Sequence, residues 1–182
     1  MENLMPLFIV LGVGFLILMF MYNGFISRRN SMRNAFASID VQLKKRWDLV
    51  PNLVEVAKKF AAHEKETLEA VVEARNARGD SNSRFAQEEK ISQGIGRMMA
   101  LAEGYPELKS DKIFLNLQRN LTEIESQISA SRRAYNAAVT EWNEGVESFP
   151  GNVMAGAFKF ERAEWFEVSS ALERSNVEVD LS

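Results

Sequence analysis

The one histidine of the chain, His63, stands directly before Glu64. A His-Glu pair on a helix is half of a zinc-hydrolase arrangement, in which two histidines four residues apart hold the metal and the glutamate serves as base. Position 67 is Thr67, so the second ligand is missing. The chain also lacks cysteine, which removes thiolate metal sites, disulfides and cysteine nucleophiles. Glu64, Glu69 and Glu73 invite comparison with di-iron bundles, but those sites need Glu-x-x-His pairs on two helices, and here the histidine precedes its glutamate. Gly94-Ile95-Gly96 lacks the third glycine and the preceding strand of a dinucleotide fingerprint, and no nucleophile elbow is present. These residues read as parts of solvated helix faces. No metal, no cofactor and no enzymatic activity is expected.

The elements that carry these residues begin with an apolar stretch. From Leu4 to Ile26 there are 23 residues without a charge, and a helix of them would reach roughly 34 Å, enough to cross a hydrocarbon core. Pro6 falls in the first turn, where a missing N–H costs little, and Tyr22 stands near the far end, at the height of a headgroup layer. Met1-Glu2-Asn3 supplies no basic residue of the kind that opens a signal peptide, so residues 1–26 read as an uncleaved transmembrane anchor. Arg28, Arg29 and Arg33 follow the span and no Lys or Arg precedes it, which by the positive-inside rule puts residues 27–182 in the cytoplasm.

Beyond the anchor the periodicity is helical throughout. Phe36, Leu43, Val50 and Ala57 form one row of sevenfold spacing; Met32, Ile39, Leu53 and Phe60 form another, interrupted by Arg46. The first soluble helix is predicted over 28–78, with a kink or break near Val50 because Pro51 removes a backbone hydrogen bond. Residues 79–83 have the composition of a turn, and a second helix is predicted over 84–103, where Gly94 and Gly96 weaken the helix and allow close helix contact. After Gly104-Tyr105-Pro106, with Ser110 or Asp111 as N-cap, a third helix is predicted over 111–148. Its row runs Phe114, Leu121, Ile128, Tyr135, Trp142 and Phe149, with Leu117, Ile124, Ser131 and Ala138 beside it. Residues 150–182 form a short tail with the aromatic cluster Phe158, Phe160, Trp165 and Phe166. The expected fold is all-α: one transmembrane helix, then a coiled-coil-like bundle of three main helices.

Charge is unevenly spread. The net formal charge is -3, which gives no reason to expect nucleic acid as a partner. Residues 28–59 nevertheless hold eight basic and three acidic side chains, whereas residues 134–182 hold three basic and nine acidic ones. Arg28, Arg29 and Arg33 are therefore candidates for contact with anionic lipid, each Lys or Arg near such a leaflet contributing roughly 1 kcal/mol; orientation during insertion is the equal alternative. The aromatic tail either caps the bundle, forms a subunit or partner contact through Phe158, Phe160, Trp165 and Phe166, or meets a membrane surface.

Several short stretches together resemble the LemA family of bacterial membrane proteins. They are Tyr22-Asn23, the run from Ala37 to Arg46, Asp48 to Val54, His63-Glu64, Ala74-Arg75, Asn116-Leu117-Gln118, Tyr135-Asn136, Trp142-Asn143, Phe149-Pro150 and Trp165-Phe166-Glu167. Trp142 stands where family members often have tyrosine, and Lys159-Phe160-Glu161 is a local variation. The resemblance implies an anchored helical bundle without established catalytic activity. One relative takes part in building magnetosomes, and some members carry a lipobox cysteine and lie outside the cytoplasm. The implied location is the bacterial inner membrane, with the helical domain cytoplasmic by its own charges and extracytoplasmic as the alternative.

The shared polar residues have a physical reading of their own: Asp40, Arg46, Asp48 and Asn52 on the first soluble helix face Glu125, Arg132, Asn136 and Asn143 on the third. Such buried pairs fix register more than they add stability, and a ligand site between the helices is the alternative. The function expected is a non-enzymatic scaffold that touches membrane lipid, self-associates as a homo-oligomer and organises membranes or membrane proteins. The competing expectation is a monomeric or dimeric adaptor for a membrane-protein partner.

Overall fold

The computed structural model describes residues 5–76 and 81–166. Six α-helices account for nearly all of them, and no strand occurs among the described residues. They are α1 (Met5–Phe60), α2 (Lys65–Asn76), α3 (Ser81–Glu103), α4 (Pro106–Ser110), α5 (Lys112–Glu147) and α6 (Gly151–Phe158). The all-α expectation holds. Of the turn expected at 79–83, residues 79 and 80 lie outside the described residues, whereas 81–83 already belong to α3; the polar end of the tail lies wholly outside them.

The first soluble helix differs from its predicted course. α1 continues through Pro51 without a break and stops at Phe60; Ala61–Glu64 form a turn, and α2 then supplies the rest. One proline removes a single N–H from a helix held by burial on its apolar face, and Val50, Leu53 and Val54 on either side of it are all buried. The break at Ala61 carries no Gly or Pro. Its signals are weaker: Lys58 and Lys59 sit in the last turn of α1 and Glu66 in the first turn of α2, each complementing a helix-end dipole. Ala61 is fully buried, so a small side chain stands where the backbone turns.

Two compact units share these helices. The unit Ser38–Ala130 is built from the second part of α1, from α2, α3 and α4, and from the first part of α5. Its core joins Val50, Leu53 and Ala57 to Leu68 and Val71, to Ile91, Ile95 and Met98, to Leu108, and to Phe114, Leu117 and Leu121. Each fully buried large aliphatic or aromatic side chain contributes about 1.5–3 kcal/mol relative to exposure, so these residues hold the unit together. Asp111 caps α5, its Oδ1 accepting hydrogen bonds from the N–H groups of Ile113 and Phe114, both at 2.9 Å. Of the two caps the sequence offers, Ser110 and Asp111, the structure uses Asp111; the sequence did not foresee α4, a single turn that inserts Leu108 into the core.

The two glycines of α3 play different parts. A Cβ on Gly94 would lie 3.0 Å from Val71 Cγ2, so the close helix contact expected there is made, between α2 and α3. Around Gly96 there is open space. Gly96→Ala should therefore stabilise the protein by about 0.5–1 kcal/mol through helix propensity alone. Thermal unfolding followed by circular dichroism checks this, and an unchanged or lowered midpoint refutes it.

The other unit contains residues 5–37 of α1 with residues 131–166. The large apolar side chains from Leu7 to Phe20 are exposed along α1, as a membrane-crossing helix requires. Phe25, Trp142, Met154 and Ala155 form a small core, flanked by Met21, Met32, Val146, Phe160 and Ala163. The sevenfold row of α5 stays on the inner side as far as Trp142; Phe149 lies beyond the helix end and is exposed. After α6, Lys159 takes a left-handed conformation (φ 56°) and the Phe160 N–H donates to Ala155 O at 2.9 Å, which turns the chain back along α5.

Candidate functional site

The eight polar residues singled out from sequence are divided between the two units. Asp40, Arg46, Asp48, Asn52 and Glu125 belong to one; Arg132, Asn136 and Asn143 belong to the other. In the first, Arg46 occupies the helix position between Ile39 and Leu53, both buried, and is itself only 1% exposed. Its guanidinium pairs with the carboxylates of Glu88 on α3 and Glu125 on α5, and donates to Ser92 Oγ at 2.8 Å and to Glu88 O at 3.3 Å. Three helices are thus tied to one side chain. Of the residues expected to face one another, Arg46 and Glu125 are in contact. Asp48 and Asn52 are exposed, and Asp48 forms only a surface pair with Lys44 at 3.1 Å.

Glu88 and Ser92 were missed from sequence. They sit four residues apart, with Glu88 on the side of α3 that also buries Ile91 and Ile95. The signal available was Arg46 itself, since an arginine within an apolar row demands a buried anion. An open groove between α1 and α5, lined by Gln42, Lys45, Asp48, Asn120, Glu123 and Gln127 among others, includes Asp48 but not Arg46. The Arg46 cluster is suited to clamping helices.

In the second unit the polar residues of α5 grip the tail. Asn143, buried, donates from Nδ2 to Ala163 O at 2.9 Å and accepts from the Ala163 N–H at 2.8 Å. Asn136 does the same for Phe166, at 3.0 and 2.7 Å. Each carboxamide thus stands in for one residue of a neighbouring strand, offering a peptide group its donor and its acceptor together. The spacing fits: seven helical residues rise about 10.5 Å and three residues of stretched chain about 10 Å, so Asn136 and Asn143 match Phe166 and Ala163. Trp142 Nε1 donates to Glu161 O at 2.8 Å and Trp165 Nε1 to Thr140 Oγ1 at 3.0 Å. The Arg132 guanidinium lies 4.6 Å from the Phe166 ring centre.

Of the aromatic tail, Phe160 is half-buried against Trp142 and Phe25, whereas Phe158 and Trp165 remain exposed. Capping by intramolecular packing therefore accounts for part of the cluster only. Arg28, Arg29 and Arg33 are exposed on α1. The residues first suspected of chemistry are dispersed: His63 is exposed in the turn after α1, Glu69 and Glu73 are exposed on α2, and Glu64 accepts a hydrogen bond from the Tyr105 hydroxyl at 3.1 Å. That bond, then burial and the Glu64 charge, raise the Tyr105 pKa above its ordinary value. Burial first, and then the Glu164 charge, raise that of Tyr135. Among the described residues no group of three or more His, Asp or Glu side chains converges as metal ligands would.

Magnetosome protein MamQ 2 of Paramagnetospirillum magneticum is 26% identical over 183 residues, covering 85% of this chain and 67% of its own length. Magnetosome protein MamQ of Magnetospirillum gryphiswaldense is 22% identical over 178 residues, 82% of this chain and 65% of the relative. Protein LemA of Metamycoplasma hominis is 27% identical over 184 residues, 97% of this chain and 82% of the relative. The chain thus spans about two thirds of the magnetosome relatives. The family model for the LemA family matches residues 35–181, from within α1 through both asparagine clamps, and the chain belongs to that family.

Proposed function

We propose that this membrane-associated LemA-family chain is a non-enzymatic scaffold, anchored by residues 1–26, that self-assembles and organises membranes or membrane proteins. The observation that carries the reading is the unbroken α1, whose exposed apolar side chains from Leu7 to Phe20 continue directly into helix that builds the folded units. A bundle that shares its backbone with its anchor transmits any assembly contact to the bilayer. Relatives described as magnetosome proteins support a role at membranes. Apolar side chains left exposed on the folded part, Phe36, Val41, Ile113 and Leu115, supply surface for contact between copies.

The bilayer would be the bacterial inner membrane, with the folded units on the cytoplasmic side because Arg28, Arg29 and Arg33 follow the span. Light scattering and particle imaging of the detergent-solubilised protein test the assembly. A closed multi-subunit particle is the expected result. A monomer or dimer at all concentrations overturns self-assembly and favours the adaptor for a membrane-protein partner.

A further inference from the structure

The stretch Ser148–Phe158 has no charged residue, although Glu147 precedes it and Lys159 follows it. It comprises Ser148, the Phe149–Pro150 turn and α6, and it leaves Phe149 82%, Val153 65% and Phe158 53% exposed. Such exposure of large apolar groups in a folded protein asks what covers them. The structure shows what lies beside them. The Phe158 ring is 5.0 Å from that of Tyr22. A cleft of about 370 Å³ has Gly24, Phe25 and Arg28 on one wall and Phe149, Pro150 and Gly151 on the other. A methyl group on Gly151 would come within 3.4 Å of the Phe25 ring.

The uncharged segment therefore runs alongside residues 22–28 of α1. These are the residues at which the uncharged stretch ends and the first arginines begin. A hydrocarbon core takes up about 20 helical residues, so α1, entering it near Met5, leaves it near Gly24. Anything packed on Tyr22 and Phe25 sits at headgroup depth. We propose that residues 148–158 form a second membrane contact, in which α6 and the Phe149–Pro150 turn lie in the interfacial layer beside the exit of the anchor. The occupant of the exposed apolar face is the lipid surface. Phe149, Val153 and Phe158 enter the boundary between headgroups and acyl chains, as the apolar face of an interfacial helix does. Arg28, on the opposite wall of the cleft, stands at the depth of lipid phosphates.

This rests on the anchor reading, and the test separates the two. Because the chain has no cysteine, Phe149→Cys, Val153→Cys and, as an anchor reference, Leu16→Cys each give one site for an environment-sensitive dye. The full-length protein is reconstituted in phosphatidylcholine and phosphatidylglycerol vesicles, and emission is measured with iodide in the buffer or with lipid carrying a nitroxide, near its headgroup for Phe149→Cys and Val153→Cys and deep in its acyl chain for Leu16→Cys. For Phe149→Cys and Val153→Cys the emission should shift to the blue, and the nitroxide lipid should lower it about twofold, as for side chains seated roughly 5–10 Å into the interface. Strong iodide quenching without lipid quenching, while Leu16→Cys reports the bilayer, overturns the second contact and leaves the anchor standing. Shielding from both quenchers means that protein covers the face, as in contact between copies, and also overturns it. Loss of lipid quenching at Leu16→Cys removes the anchor and the proposal together.

Discussion

Arg46→Met should lower the stability of the protein by about 3–5 kcal/mol, the usual cost of taking one partner from a buried ion pair. The reason is Glu88. Its side chain is 8% exposed, and Arg46 is the cation with which it pairs. Without the guanidinium the carboxylate must be hydrated, protonated or moved, and each route disturbs the contact of α3 with α1. Glu125 is 44% exposed on its side chain, so solvent screens its share, and Glu125→Gln should cost only about 1 kcal/mol or less. The double replacement Arg46→Met with Glu88→Leu should recover most of the loss, because apolar side chains of similar volume often replace a buried ion pair without penalty. Denaturant unfolding in detergent, followed by the fluorescence of Trp47, which packs against the same core, gives all three values. Arg46→Met costing less than about 1 kcal/mol, or a double as unstable as Arg46→Met alone, would show that the pair does not hold α1, α3 and α5 together.

Much of this arrangement was legible in the order of residues. Sevenfold spacing identified Ile39, Val50, Leu53 and Ala57 on α1 and Phe114, Leu121, Ile128 and Trp142 on α5, and all eight are buried. The pattern works because a packed helix presents the same face every seven residues whatever its partner is. Arg46 interrupts an apolar row, and a buried ion cluster stands at that position. The partner helix could not be read in the same way, because nothing in the local sequence distinguishes Glu88 from an exposed glutamate on α3. The end of α1 was hidden for a related reason. Pro51 is the stronger local signal, yet burial of Val50, Leu53 and Val54 carries the helix past it, and the turn falls in Ala61–Glu64, where propensity favours helix. Asn136 and Asn143 were recognised as important but assigned to the wrong partner. A carboxamide on a helix can serve a side chain or a backbone equally well, and the choice is made only when the tail folds back at Lys159.

Removing both carboxamides is the corresponding experiment on the tail. Asn136→Ala with Asn143→Ala deletes four hydrogen bonds to the backbone of Ala163 and Phe166. Each such bond is worth about 0.5–1.5 kcal/mol net, so the segment after α6 should lose about 2–6 kcal/mol of its docking energy. By mass action that multiplies its undocked population roughly 30-fold to 20,000-fold. Lys159 and Arg162 make the change readable, because trypsin cleaves after them only when the segment leaves α5. Limited proteolysis should accelerate within that range, with amide exchange at Ala163 and Phe166 rising in parallel, while helix content stays unchanged. Asn143→Asp is the sharper single substitution: it keeps the acceptor for the Ala163 N–H but places a carboxylate oxygen against Ala163 O, where a donor stood at 2.9 Å. It should therefore open the tail at least as far as Asn143→Ala does. Cleavage at the unaltered rate in the double variant would mean that Trp142, packed edge-on to both Phe25 and Phe160, holds the segment without the asparagines, and that the match between seven helical and three stretched residues is incidental.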